Sequence, residues 1–96
     1  MKTTCKNIRS KITKILKDGD VPRIHAYPAF IEGQRKGYYL QLVVYSTRAE
    51  TYLDSAAMIF DSKGQPRRIV REGSIPCFAA RYGITGSNVV FGRRPR

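Results

Sequence analysis

The chain has 96 residues, 42% of them hydrophobic, and carries eighteen Lys and Arg against seven Asp and Glu, a net charge of +11. That length holds one domain with a small core, and the apolar fraction excludes wholesale disorder. No apolar run has the length of a membrane span or a signal peptide, and Cys5, Cys77 and His25 lack the spacing of a metal site, so a cytoplasmic protein with two reduced, partly buried thiols and no cofactor or metal is expected.

The charge is unevenly placed. Residues 1–24 hold seven basic and two acidic side chains, residues 25–61 three and four, and residues 62–96 eight and one. A near-neutral centre between two cationic ends points to an anionic partner, because counterion release rewards clustered Lys and Arg.

Residues 4–18 read as a helix, with Cys5, Ile8, Ile12, Ile15 and Leu16 on one stripe, Thr3 or Thr4 as cap and Gly19 after the end. Its remaining surface is basic or neutral until Asp18. Asp20-Val21-Pro22 reads as a turn. Residues 23–31 then alternate, Ile24, Ala26 and Phe30 on one side and Arg23, His25, Tyr27 and Ile31 on the other. Pro28 inside this run marks an edge strand or a bulge. After a loop with two glycines, residues 38–46 form the clearest strand. Tyr38, Leu40, Leu42 and Val44 share one face of it, and Tyr39, Gln41, Val43 and Tyr45 share the other. The two strands read as a hairpin.

Residues 47–54 fit a loop or a short helix. Strands at 55–61 and 66–72 would then pair with each other across Ser62-Lys63-Gly64. Ser74 reads as the cap of a short helix with Pro76 in its first turn and Gly83 at its end, and 88–91 as a last strand. The fold class expected is α+β: a two-layer sandwich with an N-terminal amphipathic helix and a short C-terminal helix on a mostly antiparallel sheet of four to five strands. One domain spans 1–92, and 93–96 is a basic tail.

Three basic groups are candidates for binding nucleic acid or an acidic partner: Lys6, Arg9, Lys11, Lys14 and Lys17 on the helix; Arg67, Arg68 and Arg71 on a strand, the first and last projecting together; and Arg93, Arg94 and Arg96 in the tail. Guanidinium forks on adjacent phosphates suit the strand group, and protection of a sheet edge is its plain structural alternative. Solvation of an amphipathic helix is the alternative for the first group. The helix stripe has no Trp or Phe anchor, so no membrane partner is expected. Tyr39 and Tyr45, joined by Arg23, His25 and Tyr27 if the strands register suitably, would make a sheet face on which single-stranded bases stack. The competing reading buries these tyrosines under a helix or loop.

Gly83-Ile84-Thr85-Gly86 has the G-x-x-G form of the backbone-clamping loop in K-homology domains, but without two regular flanking helices it reads as a tight turn. His25 has no second titrating group fixed by spacing, so catalysis is not expected. The leading reading is a non-enzymatic nucleic-acid-binding protein, of RNA or DNA, that uses a cationic surface for phosphate contacts. The alternative is a small phage- or plasmid-type inhibitor, anti-CRISPR-like in its length and its lack of a catalytic motif, that docks on an acidic surface of a host protein or nucleoprotein complex. A toxin-like ribonuclease comes third.

Overall fold

The computed structural model describes residues 3–53 and 57–92, with side chains from Asn7 onward. In chain order the elements are β1 (Thr3–Thr4), α1 (Cys5–Lys17), β2 (Val21–Ile31), β3 (Gln34–Ser46), β4 (Thr51–Tyr52), β5 (Ala57–Phe60), β6 (Arg68–Ile69), α2 (Ser74–Arg81), a 3-10 turn at Gly86–Asn88, and β7 (Val89–Phe91). The α+β two-layer class holds. The sheet is larger than the four to five strands expected, because it recruits three two-residue strands (β1, β4 and β6), and it is mixed: β1 lies parallel to β5 and β7 parallel to β2.

The β2–β3 hairpin is the framework. Its register runs from Val21 opposite Tyr45 to Pro28 opposite Tyr38, slips by one residue at Ala29, and resumes with Phe30 opposite Arg35. Glu32 and Gly33 close it with positive φ at both positions, the primed two-residue turn that matches strand twist. Pro28 thus adjoins a bulge, as its place in the alternation implied.

The extra residue lies on β3, where Lys36 and Gly37 oppose Ala29 alone. Phe30, expected beside Ile24 and Ala26, is instead 66% exposed. On its second edge β3 carries three short partners in series: β6 at Tyr38–Tyr39, β5 at Gln41–Leu42, and β4 at Tyr45–Ser46.

One face of this sheet is the core. Ile24, Ala26, Tyr38, Leu40, Leu42, Val44 and Ile59 pack against Ile8, Ile12 and Ile15 of α1 and Ile75, Phe78 and Ala79 of α2. Leu16 was expected on the α1 stripe but is 59% exposed: Ile15, one position earlier, already fills the contact at the helix end. Both helices stop in a Schellman arrangement. Gly19 and Asp20 donate to the Leu16 and Ile15 carbonyls, and Gly83 and Ile84 to those of Ala80 and Ala79. The buried Ile84 then seals the end of α2. Gly83-Ile84-Thr85-Gly86 is therefore a helix stop running into a 3-10 turn.

Several local expectations are corrected. Val21 and Pro22 belong to β2, so the turn before it is at Asp18-Gly19. Residues 47–50 form a turn, followed by β4. Residues 66–72 do not return as a strand along β5. The expected hairpin forms only at its start: Phe60 bridges Pro66, the Asp61 and Arg67 amides donate to the Gln65 and Ile59 carbonyls, and Asp61 Oδ1 accepts the Lys63 and Gln65 amides within the turn. Arg68 and Ile69 then pair with β3 instead. The N-cap of α2 is Gly73, with no side-chain bond, and Ser74 is the first helical residue. Cys77 is a free, exposed thiol rather than a partly buried one.

Gly37 makes the shift of β6 onto β3 sterically feasible. Its φ is +94°, and a Cβ there would lie 2.5 Å from the Ile69 carbonyl oxygen and 2.8 Å from the Val70 Cα. Gly64 also has a positive φ, +80°, but open space around it. Gly37→Ala is therefore expected to destabilise the protein by about 1–3 kcal/mol more than Gly64→Ala, the range for overpacking against backbone, read as the difference in urea midpoints. Equal midpoints would contradict the close approach.

Candidate functional site

Period-2 alternation puts Arg23, His25 and Tyr27 of β2 and Tyr39, Gln41, Val43 and Tyr45 of β3 on the sheet face away from the helices. The pairings Arg23–Val43, His25–Gln41 and Tyr27–Tyr39 bring the two sets together in one layer. Short strands extend it with Tyr52 opposite Tyr45, Met58 opposite Gln41, Arg68 opposite Tyr39 and Val90 opposite His25. Both described helices lie on the other side, and none of these face positions carries a carboxylate.

Among the described residues, the face is covered only by its own side chains. Tyr27 and Val43 are buried, while Tyr39, Gln41, Tyr45 and His25 are half-buried. The Tyr27 hydroxyl lies 3.3 Å from Met58 Sδ, and its ring meets Tyr39 at 6.3 Å between centroids. The Tyr52 ring makes edge contacts with Tyr45 at 5.3 Å and with His25 at 4.9 Å. Since β4 and β2 flank β3 on opposite edges, that ring reaches across β3 above Val43.

Arg23 is the fixed cation of the layer. Its guanidinium stacks at 4.3 Å over the Tyr45 ring and lies 5.8 Å from that of Tyr52. Its Nε donates to Asn88 Oδ1 at 3.3 Å and its Nη1 to the Tyr52 hydroxyl at 3.0 Å. With two donor sites engaged, further N–H groups of the fork remain for a ligand. His25, beside it, is held below its ordinary pKa of 6.5, first by burial and then by the positive charge of Arg23. Its Nε2 is buried with no hydrogen-bond partner among the described residues.

The sequence-derived site residues do not converge. Tyr39, Tyr45 and Arg68 belong to this open face, where the Arg68 Nη1 donates to the Lys36 carbonyl at 2.6 Å. Arg67 is on the helix side, its guanidinium 5.0 Å from the centroid of the Phe78 ring, and Arg71 lies past the end of β6. The expected pairing of Arg67 with Arg71 on one strand face is not formed, because β6 ends at Ile69. On α1, Arg9 donates to the Arg81 carbonyl at 3.0 Å and covers the Tyr82 ring, joining the two helices. Lys14 and Lys17 are exposed and Lys11 is half-buried. Lys11 and Lys14 line a groove of about 280 Å³ with Asp18, Asp20, Leu42, Val44 and Leu53. All of these helix cations are on the layer opposite the tyrosines. The Lys6 side chain and Arg93, Arg94 and Arg96 lie outside the described residues.

Sequence reasoning missed Tyr52 and Asn88. Tyr52 fell in a stretch that also fits a helical stripe, so its alternation with Tyr45 had no strand to refer to. No group of three or more His, Cys, Asp or Glu side chains gathers among the described residues to hold a metal, and no helix there is long and apolar enough to cross a membrane. No protein-family model matches the chain, and searches of curated proteins and of solved structures return no match.

The depressed His25 pKa sets a pH dependence. The unfolded imidazole takes up its proton near pH 6.5, while the folded one resists until lower pH. The neutral ring's contribution to stability is therefore full above about pH 6.5 and is lost as the pH falls through the folded pKa. Urea midpoints measured between pH 7.5 and 5 should fall more steeply for the wild type than for His25→Phe. Parallel profiles would contradict the assignment.

Proposed function

We propose that the protein is a non-enzymatic module that binds single-stranded nucleic acid, with bases laid on the tyrosine face and phosphates met by its arginines. The observation that carries this reading is the acid-free sheet face left bare by both helices, on which Tyr45 and Tyr52 flank the fixed guanidinium of Arg23 and Tyr39 lies farther along β3 beside Tyr27. Every base has a π-face, so stacking on such rings is tolerant of sequence. The net charge of +11 supplies the long-range attraction. A duplex hides its base faces, so single strands are preferred. On this reading the protein acts in the cytoplasm, with Cys77 a free thiol.

The α1 lysines are peripheral in this arrangement, since a strand crossing the tyrosine face does not reach the opposite layer. Fluorescence anisotropy with a labelled single-stranded oligonucleotide tests it. Tyr39→Ala and Tyr45→Ala should each cost about 1–3 kcal/mol of binding, the range for one stacked base. Replacing Lys11, Lys14 and Lys17 together by Gln should leave most of the affinity. The slope of log K against log salt should be about −2, the value for roughly three neutralised phosphates on a single strand. The reverse pattern, with binding lost in the lysine variant and kept in the tyrosine variants, makes α1 the phosphate-binding surface and sinks the stacking face. Absence of binding to RNA and DNA at low salt overturns the reading and leaves an acidic protein surface as the partner of the same cations.

A further inference from the structure

The Tyr52 ring stands where a ligand ring would stand. It is a flat aromatic system with an oxygen at its tip, and that oxygen accepts a hydrogen bond from Arg23 Nη1 at 3.0 Å. Its ring contacts His25 and Tyr45 edge-on at 4.9 and 5.3 Å. A nucleobase with a keto oxygen makes the same set of contacts, face or edge to aromatic rings and oxygen to guanidinium. One interaction is missing. His25 Nε2 is buried without a partner among the described residues, and a phenol ring edge has no N–H to offer it. Buried polar atoms of this kind call for a partner.

The hold on Tyr52 is slight. Its strand is two residues long, anchored by its pairing to Tyr45 and Ser46 and by the Leu53 amide on the Val44 carbonyl. The turn that precedes it carries Glu50 at a φ of +53°, a conformation unfavourable for a residue with a side chain. Tyr52 itself remains 41% exposed. Arg23, by contrast, is fixed by Asn88 and Tyr45 whether or not Tyr52 is present.

We propose that the position held by the Tyr52 ring is a nucleobase subsite, and that a single unstacked keto base displaces the ring to bind between Arg23, Tyr45 and His25. This rests on the nucleic-acid reading above and names its first specific subsite. The keto oxygen takes over the Arg23 donor. The adjacent ring N–H, present in uracil, thymine and guanine, meets the lone pair at Nε2 of the neutral imidazole. Adenine has no keto oxygen and leaves Arg23 facing an amino donor, while cytosine can offer its O2 to Arg23 but has a bare N3 beside it that sets one lone pair against the other at Nε2. Tyr52 is then an internal competitor that keeps Arg23 and His25 covered until a base arrives.

The test compares wild type, Tyr52→Ala and Tyr52→Phe for binding to single-stranded dT12 and dA12. Removal of an internal competitor should tighten dT12 binding by Tyr52→Ala roughly tenfold, the factor by which a ring in place nine-tenths of the time lowers apparent affinity. Tyr52→Phe, which keeps the ring and loses the Arg23 bond, should tighten it less. The preference for dT12 over dA12 should grow in Tyr52→Ala and shrink in His25→Phe, where only the Arg23 part of the discrimination is left. Unchanged or weaker dT12 binding by Tyr52→Ala overturns the proposal and makes Tyr52 an ordinary part of the stacking face. If wild type and variants bind neither oligonucleotide, the broader reading fails by itself. The subsite is then judged by NMR of the His25 ring of Tyr52→Ala. A saturable shift with uridine monophosphate that exceeds the shift with adenosine monophosphate upholds it, and no shift overturns it.

Discussion

The pairing of β2 with β3 fixes nearly every other feature of the molecule. From Val21 opposite Tyr45 to Pro28 opposite Tyr38 the register is unbroken, so Ile24, Ala26, Leu40, Leu42 and Val44 all face one way and Arg23, His25, Tyr27, Tyr39 and Tyr45 the other. A slip of one residue would exchange these two sets on one strand and place Arg23 and His25 in the helix-packed core. The hairpin is pinned at one end by the primed turn at Glu32-Gly33 and near it by the bulge at Ala29. The bulge confines the irregular geometry to the last few residues and leaves the long run intact. The free edge of β3 is then long enough to take β6, β5 and β4 in succession, which brings Arg68, Met58 and Tyr52 onto the same face as the tyrosines.

The charge has a different meaning in this fold than in the sequence. Among the described residues, four arginines lie over aromatic rings: Arg9 on Tyr82, Arg23 on Tyr45, Arg35 on Tyr38, and Arg67 on Phe78. A chain of this length has a small core, and guanidinium planes extend it by covering ring faces while their edges stay polar. These arginines are building material as well as charge. Among the described residues, the exposed cations include Lys14 and Lys17 on α1, Lys36 on β3, and Arg48, Lys63 and Arg71 in turns and loops, so they are spread over several elements. Arg23 combines the two roles. It is packed on Tyr45, held by Asn88, and still directed at the open face.

The main elements were legible because each rests on a local period. Ile8, Ile12 and Ile15 repeat at helical spacing, and the two long strands alternate cleanly, so α1, β2, β3 and their faces follow from the residues. The short strands were not legible for a physical reason. Two-residue strands such as β4 and β6 are too brief to carry a period, and they exist because the β3 edge offers unpaired backbone groups. Arg67, Arg68 and Arg71 read as one strand with the first and last on a shared face, yet Gly37 admits the 69–70 backbone so closely that the chain crosses to β3 and ends the strand at Ile69. The tyrosine face was legible through Tyr39 and Tyr45. Its partner Tyr52 was not, because Ala49, Tyr52, Leu53 and Ala56 mimic a helical stripe. Phe30 and Leu16 show the same limit from the other side: each obeys the period of its element, and a place near the hairpin turn or a better-placed neighbour sets it outside the core.

The exposed tyrosines and the high net charge also explain each other. A sheet face of aromatic rings with half-buried edges is the kind of surface that draws two copies of a protein together. Here each copy carries +11, so bringing two faces together sets like charges against each other over the whole contact. The same repulsion becomes attraction for a polyanion, which neutralises the charge while its bases cover the rings. A ligand with aromatic planes joined by phosphates answers both demands at once, whereas an apolar partner meets only the first and a simple anion only the second. On the proposed reading the tyrosine layer selects for planarity, while the charge carried on the rest of the chain supplies attraction at a distance.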